Sequence, residues 1–199
     1  MRLKTKFSLE VILLISLIGM VSIIAVLNTK QVQDSFLDLS AQTMPTWDAL
    51  KDMRLANSLM LSSTLEVLIL QDTINNQGDE FGVSDHEEQI ENKIYEMETA
   101  KSLFSESFTR YTILMEKNFP ESNIYLNDIS KNWNDLVIIS SKMIRLNTNG
   151  NNAKEVLALK NDFEDSGQLL NQNIFSANSF IEPQVKSSQA VVSSLVDNT

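Results

Sequence analysis

Residues 46–75 read TWDALKDMRLANSLMLSSTLEVLILQDTIN, and the fold follows from their period. Met53, Met60, Val67 and Ile74 are seven apart; Leu50 starts the stripe, and Leu61 and Leu68 extend it. Apolar side chains at this interval share one side of a helix, so the stretch predicts a helix that buries that side against other helices. Asn57, Thr64 and Gln71 recur every seven residues on the same face, so one core column is polar.

Downstream, residues 75–84 (NNQGDEFGVS) carry two glycines and no period, and read as a loop. Ser84 and Glu87 form a capping-box pattern, so Asp85, His86, Glu87 and Glu88 mark a helix N-terminus rather than a metal cluster. In the helix expected over 85–118, Ile90, Ile94, Met97, Lys101, Phe104, Phe108, Tyr111 and Met115 alternate four and three, with Lys101 the charged member. Pro120 ends it. A third helix over 121–146 places Leu126, Ile129, Trp133, Leu136, Ser140 and Met143 on one face. Gly150 sits in the next turn. A fourth helix from 153 onward aligns Val156, Leu159, Phe163, Ser166, Leu170, Ile174, Ala177 and Ile181, with a kink expected at Pro183.

Upstream, residues 11–27 (VILLISLIGMVSIIAVL) hold no charge. Residues 7–27 as a helix span roughly 30 Å, the thickness of a bilayer core. Arg2, Lys4 and Lys6 place residues 1–6 in the cytoplasm and everything after Asn28 outside, as a single-pass protein of the inner (cytoplasmic) membrane. The competing cleaved signal peptide shares the basic start, but Ile23 and Ala25 make a poor cleavage site and the apolar run is long.

The fold expected is therefore all-α: a transmembrane helix continuing outward to about residue 44, then an antiparallel up-down-up-down four-helix bundle within 28–199. The first and last arms outlast the two middle helices, which gives two long legs and two short ones. Pro45, Pro120 and Pro183 then fall at one level, the floor of the four-helix part, with a two-helix stalk of 28–45 and 183–199 below it. Such a stalk buries little surface alone, so a homodimer is expected.

Composition narrows the function. The net charge is −10, and the basic N-terminus makes the remainder more acidic still, which argues against nucleic-acid binding. No cysteine and one histidine leave no disulfide, no thiolate chemistry and no His/Cys metal site. No nucleophile–base pair, Gly-rich phosphate loop or paired Glu-x-x-His is visible, so neither an enzyme nor a cofactor is expected.

The basic start MRLKTKF, the first membrane helix, Pro45 near the base, and Leu50 and Arg54 one and two turns later resemble the extracytoplasmic four-helix-bundle sensor module of methyl-accepting chemotaxis receptors and sensor histidine kinases. The resemblance is one of architecture over the whole chain. It implies a sensory module that binds a small polar or anionic ligand or a partner binding protein and passes helix shifts toward the membrane. In that family a second membrane helix and a cytoplasmic output follow, so the chain is expected to be either a receptor fragment or a stand-alone relative. The alternative function is a membrane-anchored helical adaptor.

Two groups of side chains are candidates for ligand binding. Counting upward from the prolines puts Thr64, Lys101, Ser140 and Ser166 at one height on core-facing positions, a mid-bundle polar layer with Lys101 as its charge. Arg54 and Arg110 share a lower height, and arginine is a natural clamp for a carboxylate. The bland expectations are that Lys101 reaches the surface and that the arginines form surface ion pairs. Trp47 and Trp133 are expected in the core.

Overall fold

The computed structural model describes residues 2–38, 41, 44–77, 83–118, 123–148 and 152–196. Among these residues there are five helices and no strand: α1 (Arg2–Asp38), α2 (Met44–Gln77), α3 (Val83–Asn118), α4 (Asn123–Thr148) and α5 (Ala153–Val196). The expected turns at Pro120 and Gly150 lie outside the described residues. The chain divides into two compact units, Met1–Thr43 with Pro183–Thr199, and Met44–Glu182; α5 contributes to both.

In the first unit, α1 exposes its apolar side chains on every side from Leu14 onward. Leu14, Leu17, Val21, Ile24 and Leu27 are all more than half exposed. The segment Leu14–Asp34 is long and apolar enough to cross a membrane. The hydroxyls of Ser22 and Thr29 donate back to the carbonyls of Ile18 (2.9 Å) and Ala25 (2.8 Å), so neither leaves an unpaired donor on this surface. α1 is described as far as Asp38, and its expected continuation to about residue 44 falls largely outside the described residues. Pro45 falls in the first turn of α2, where a missing N–H leaves no hydrogen bond unmade.

The second unit holds the core. Leu50, Met53, Met60 and Val67 of α2 are buried, as their spacing predicts, together with Leu126, Ile129, Trp133, Leu136, Ser140 and Met143 of α4. Contacts fix the directions. Asp52, Ser63 and Glu66 of α2 meet Arg110, Glu96 and Lys93 of α3, so numbers rise along one helix as they fall along the other. Thr64 and Gln71 of α2 meet Ser140 and Thr148 of α4 in the same order, so these two run in parallel.

Small residues set the closest seam. Ala49, Ala56 and Ser63 recur every seven residues on α2, and Ala100 and Ser107 do so on α3; all five are buried. Short side chains let the two backbones approach, and α2 with α3 forms the most extensive of the helix pairings recorded among the described residues. This seam corrects the face expected for α3. Ala100 and Ser107 occupy the core, whereas Lys101 and Phe108 are only half-buried. α5 shows the same one-residue slip: Gly167 is buried and Ser166 only half-buried. A Cβ at Gly167 would lie 2.8 Å from both Cδ atoms of Leu61, so α5 lies so close to α2 that an added methyl would have to displace the Leu61 side chain.

Candidate functional site

The polar column of α2 is a set of interhelical hydrogen bonds. Asn57 donates from Nδ2 to the carbonyl of Gly167 on α5 (2.9 Å). One heptad higher, Thr64 donates to the carbonyl of Met60 (2.7 Å), and the Thr64 and Ser140 hydroxyls lie 2.7 Å apart. A hydroxyl has one proton to give, so Ser140 donates to Thr64. Both are fully buried. At the next heptad, Gln71 donates to Thr148 (2.8 Å), while Asn147 donates to Gln71 Oε1 (3.2 Å) and to the carbonyl of Leu68 (3.0 Å). Each level of the column thus ties α2 to α4 or α5.

Charges gather on the other side of α2. Lys93 Nζ lies 2.9 Å from Glu66 and 3.0 Å from both carboxylate oxygens of Glu96, and buried Ser63 donates to Glu96 Oε2 (2.8 Å). The Ser63 hydrogen bond, then that of Lys93, holds the Glu96 carboxyl below its usual range. Glu66 and then Glu96 raise Lys93 above the usual lysine value. Deeper in the unit, burial keeps the Tyr111 hydroxyl un-ionised well above the normal phenol range, and nearby Tyr125 adds to the effect. The Tyr111 hydroxyl and Asn57 Oδ1 are buried with no hydrogen-bond partner among the described residues.

Of the six candidate residues, the structure brings Thr64 and Ser140 together. Lys101 does not supply the charge of that layer: its ammonium pairs with Glu98 on the same helix (2.6 Å) and its side chain is a third exposed. A hydroxyl pair sealed at zero exposure has no need of an ammonium, and the long lysine stem reaches water instead. Ser166 lines a shallow groove between α4 and α5 with Asp135, Ile138, Asp162, Asp165 and Leu169, away from the column. Arg110 is exposed and pairs with Asp52 (2.6 Å), with a longer bond to Ser107 (3.3 Å). Arg54 is exposed too, but it faces the opposite flank of α2 and lines a cavity of about 400 Å³ against α5. The two arginines therefore do not form one clamp.

Trp133 is buried and stacks on Phe104 (centroids 4.1 Å apart, 5° between planes), and Phe104 stacks in turn on Phe108 (5.8 Å). Trp47 departs from expectation: it is 49% exposed and lines the Arg54 cavity. Its place just after Pro45, before the heptad stripe begins at Leu50, is the signal that could have set it apart. No metal-binding group of His, Cys, Asp and Glu occurs among the described residues.

No protein-family model matches the chain, and neither a curated protein nor a solved structure matches it.

Proposed function

We propose that this chain is the membrane-anchored, extracytoplasmic sensory module of a signal-transduction receptor, similar in plan to the chemoreceptor and sensor-kinase bundles. In this reading α1 crosses the inner membrane once with its N-terminus in the cytoplasm, and α2 to α5 form an up-down-up-down antiparallel four-helix bundle. A small polar or anionic ligand or a partner protein binds outside, and a shift of one long helix against the others carries the signal toward the membrane.

The observation that carries this reading is the contrast between units: an apolar helix with no core of its own precedes a helical unit with a complete one. The directions of the contacts support the bundle. α2 runs against α3 and along α4, and α5 runs against α2, since Asn57 meets Gly167 while Leu50 and Arg54 share a cavity with Ile174 and Asn178. The outer face of α2 supports a homodimer. Leu55, Ser58, Ser62, Leu65 and Ile69 alternate three and four, carry no charge, and are exposed or half-buried. That is a seam a second copy can cover.

The chain has no cysteine, so single cysteines report this seam directly. Cysteines placed singly at 55, 58, 62, 65 and 69 of the full chain in membranes should form disulfide dimers under mild oxidation, whereas Thr99→Cys and Thr109→Cys on α3 should not. An impermeant maleimide should label Ser62→Cys from outside intact cells. Cross-linking without periodicity, or labelling only after lysis, would refute the reading. The groove at Ser166 favours a second one, a membrane-anchored adaptor: Ile138 and Leu169 are 64% and 48% exposed there, between carboxylates, as a partner's helix would require.

A further inference from the structure

The cavity at the start of α2 is built differently from the rest of the surface. Trp47, Lys51 and Arg54 sit at i, i+4 and i+7, hence on one side of α2. Phe175 and Asn178 sit one turn apart on α5 and face them. The floor is apolar and closed: Leu50 is 1% exposed and Ile174 is fully buried. The walls are aromatic and open, with Trp47 49% and Phe175 62% exposed on either side of the same space. Elsewhere in this unit the large aromatic pair Trp133 and Phe104 is sealed by stacking.

The rim has the opposite charge to the chain. Lys51 and Arg54 line the cavity beside a single carboxylate, Asp48, in a protein of net charge −10. Neither cation has an ion-pair partner among the described residues, a state they share with Lys131, Lys142, Arg145 and Lys154 but not with Lys93, Lys101, Arg110 or Lys160; what sets them apart is that they line one cavity. A concave apolar floor, aromatic walls and two such cations are the elements of a site for a molecule with an apolar body and an anionic head. The planar guanidinium suits a carboxylate, which it can hold through two parallel hydrogen bonds. Asn178 brings an amide to the same lining.

We propose that the α2–α5 cavity binds a small amphiphilic carboxylate, its apolar body between Trp47 and Phe175 and its carboxylate on Arg54 and Lys51. About 400 Å³ holds an arylacetate-sized molecule. The physiological meaning of this site rests on the sensory reading, because an occupant touching α2 and α5 together changes how those two helices fit. The binding itself does not rest on it.

The test is calorimetric titration of the full chain in nanodiscs, against empty nanodiscs, with indole-3-acetate as the probe. Indole-3-acetamide keeps the body without the charge, and acetate keeps the charge without the body. Saturable binding of indole-3-acetate is expected, with both controls at least about tenfold weaker. Arg54→Gln and Trp47→Ala should each lower the affinity about tenfold, Arg54→Lys less, and Lys101→Met not at all. Both cavity side chains are exposed, so unchanged thermal melting separates lost binding from lost fold. Equal binding of acid and amide, wild-type affinity in Arg54→Gln, or no heat with indole-3-acetate, phenylacetate or octanoate would overturn the site. The α2 cross-links, read in the same preparation, keep the two ideas apart: binding without cross-links removes the dimeric module and leaves the site, and cross-links without binding do the reverse.

Discussion

Among the described residues, two helices are long and apolar enough to cross a membrane, and they differ in what surrounds them. Leu14–Asp34 of α1 has none of its apolar window buried, whereas 44% of the window Met44–Asn75 of α2 lies inside the protein. Hydropathy alone does not separate them. Periodicity does: in α1 the apolar residues go all the way round, while α2 interleaves them with Asp48, Lys51, Asp52, Arg54, Ser58 and Glu66 on its outer side. A helix with one apolar stripe can satisfy it against neighbouring helices, and a helix apolar on every side needs an apolar solvent.

The most severe way to break this comparison is to place the same charge in both helices. Met60 is fully buried, so Met60→Lys puts an unpaired ammonium in the core and should cost about 4–5 kcal/mol or more, enough to abolish cooperative melting by circular dichroism. Ile18 is 56% exposed, so Ile18→Lys should leave that melting transition in place and instead reduce the membrane-bound fraction on sedimentation. A bundle that melts normally with Met60→Lys would show that the Met60 face of α2 does not lie in its core.

Two glycines sharpen the contrast and should respond differently to the same added methyl. At Gly19 of α1 a Cβ would meet nothing within 4 Å, so Gly19→Ala should leave bundle melting within about 0.5 kcal/mol of wild type. A Cβ at Gly167 would meet Leu61 at 2.8 Å, and the Gly167 carbonyl accepts from Asn57, so Gly167→Ala should destabilise by about 1–3 kcal/mol despite alanine's better helix propensity. Denaturant titration of the full chain measures both.

Gly167 also marks where the sequence is hard to read. The α4 face is legible because each buried position there carries a large side chain or the hydroxyl of Ser140. On α3 and α5 a strict four-three count lands on Lys101, Phe108 and Ser166, while the core takes Ala100, Ser107 and Gly167. Close packing favours the smallest residue, and a reader who weighs apolar bulk slides past it by one. The polar column was visible in the spacing of Asn57, Thr64 and Gln71, but not its partners, since the levels of four helices depend on loop lengths and helix ends. The cavity at Trp47 is harder still, because an exposed tryptophan and a buried one look alike in a sequence.

A smaller effect is expected within the column. Thr64→Val leaves Ser140 buried without its acceptor, at about 1–2 kcal/mol, and Ser140→Ala removes a donor but leaves the Thr64 bond to Met60 intact, at about 1 kcal/mol or less. The double variant should cost less than the two singles together, because removing both hydroxyls leaves no polar group stranded. Strict additivity would mean that the hydroxyls act independently and that the column does not bind α2 to α4.

The smallest effect lies at the surface, on the α2–α3 seam, and pH exposes it. Glu96 is held below the ordinary carboxyl value of 4.5 by Ser63 and Lys93, so the folded state favours its ionised form. That contribution is complete above the unfolded value and fades as pH falls through the lower folded one. Lys93 is raised above 10.5 by Glu66 and Glu96, so its contribution is complete below that value and fades as pH rises through the higher folded one. Between those limits the pair acts at full strength, screened by water because both side chains are partly exposed. Glu96→Gln should therefore melt slightly below wild type near pH 7. The two should converge as pH falls through the lowered Glu96 value, and the gap should narrow without closing as pH rises through the raised Lys93 value, because the Ser63 hydrogen bond remains. Added salt at pH 7 should narrow the same gap, since ions screen exposed pairs but leave the buried Thr64–Ser140 bond alone. A difference unchanged by both pH and salt would assign the role of Glu96 to packing beside Ser63, and the seam would then be held by its small residues alone.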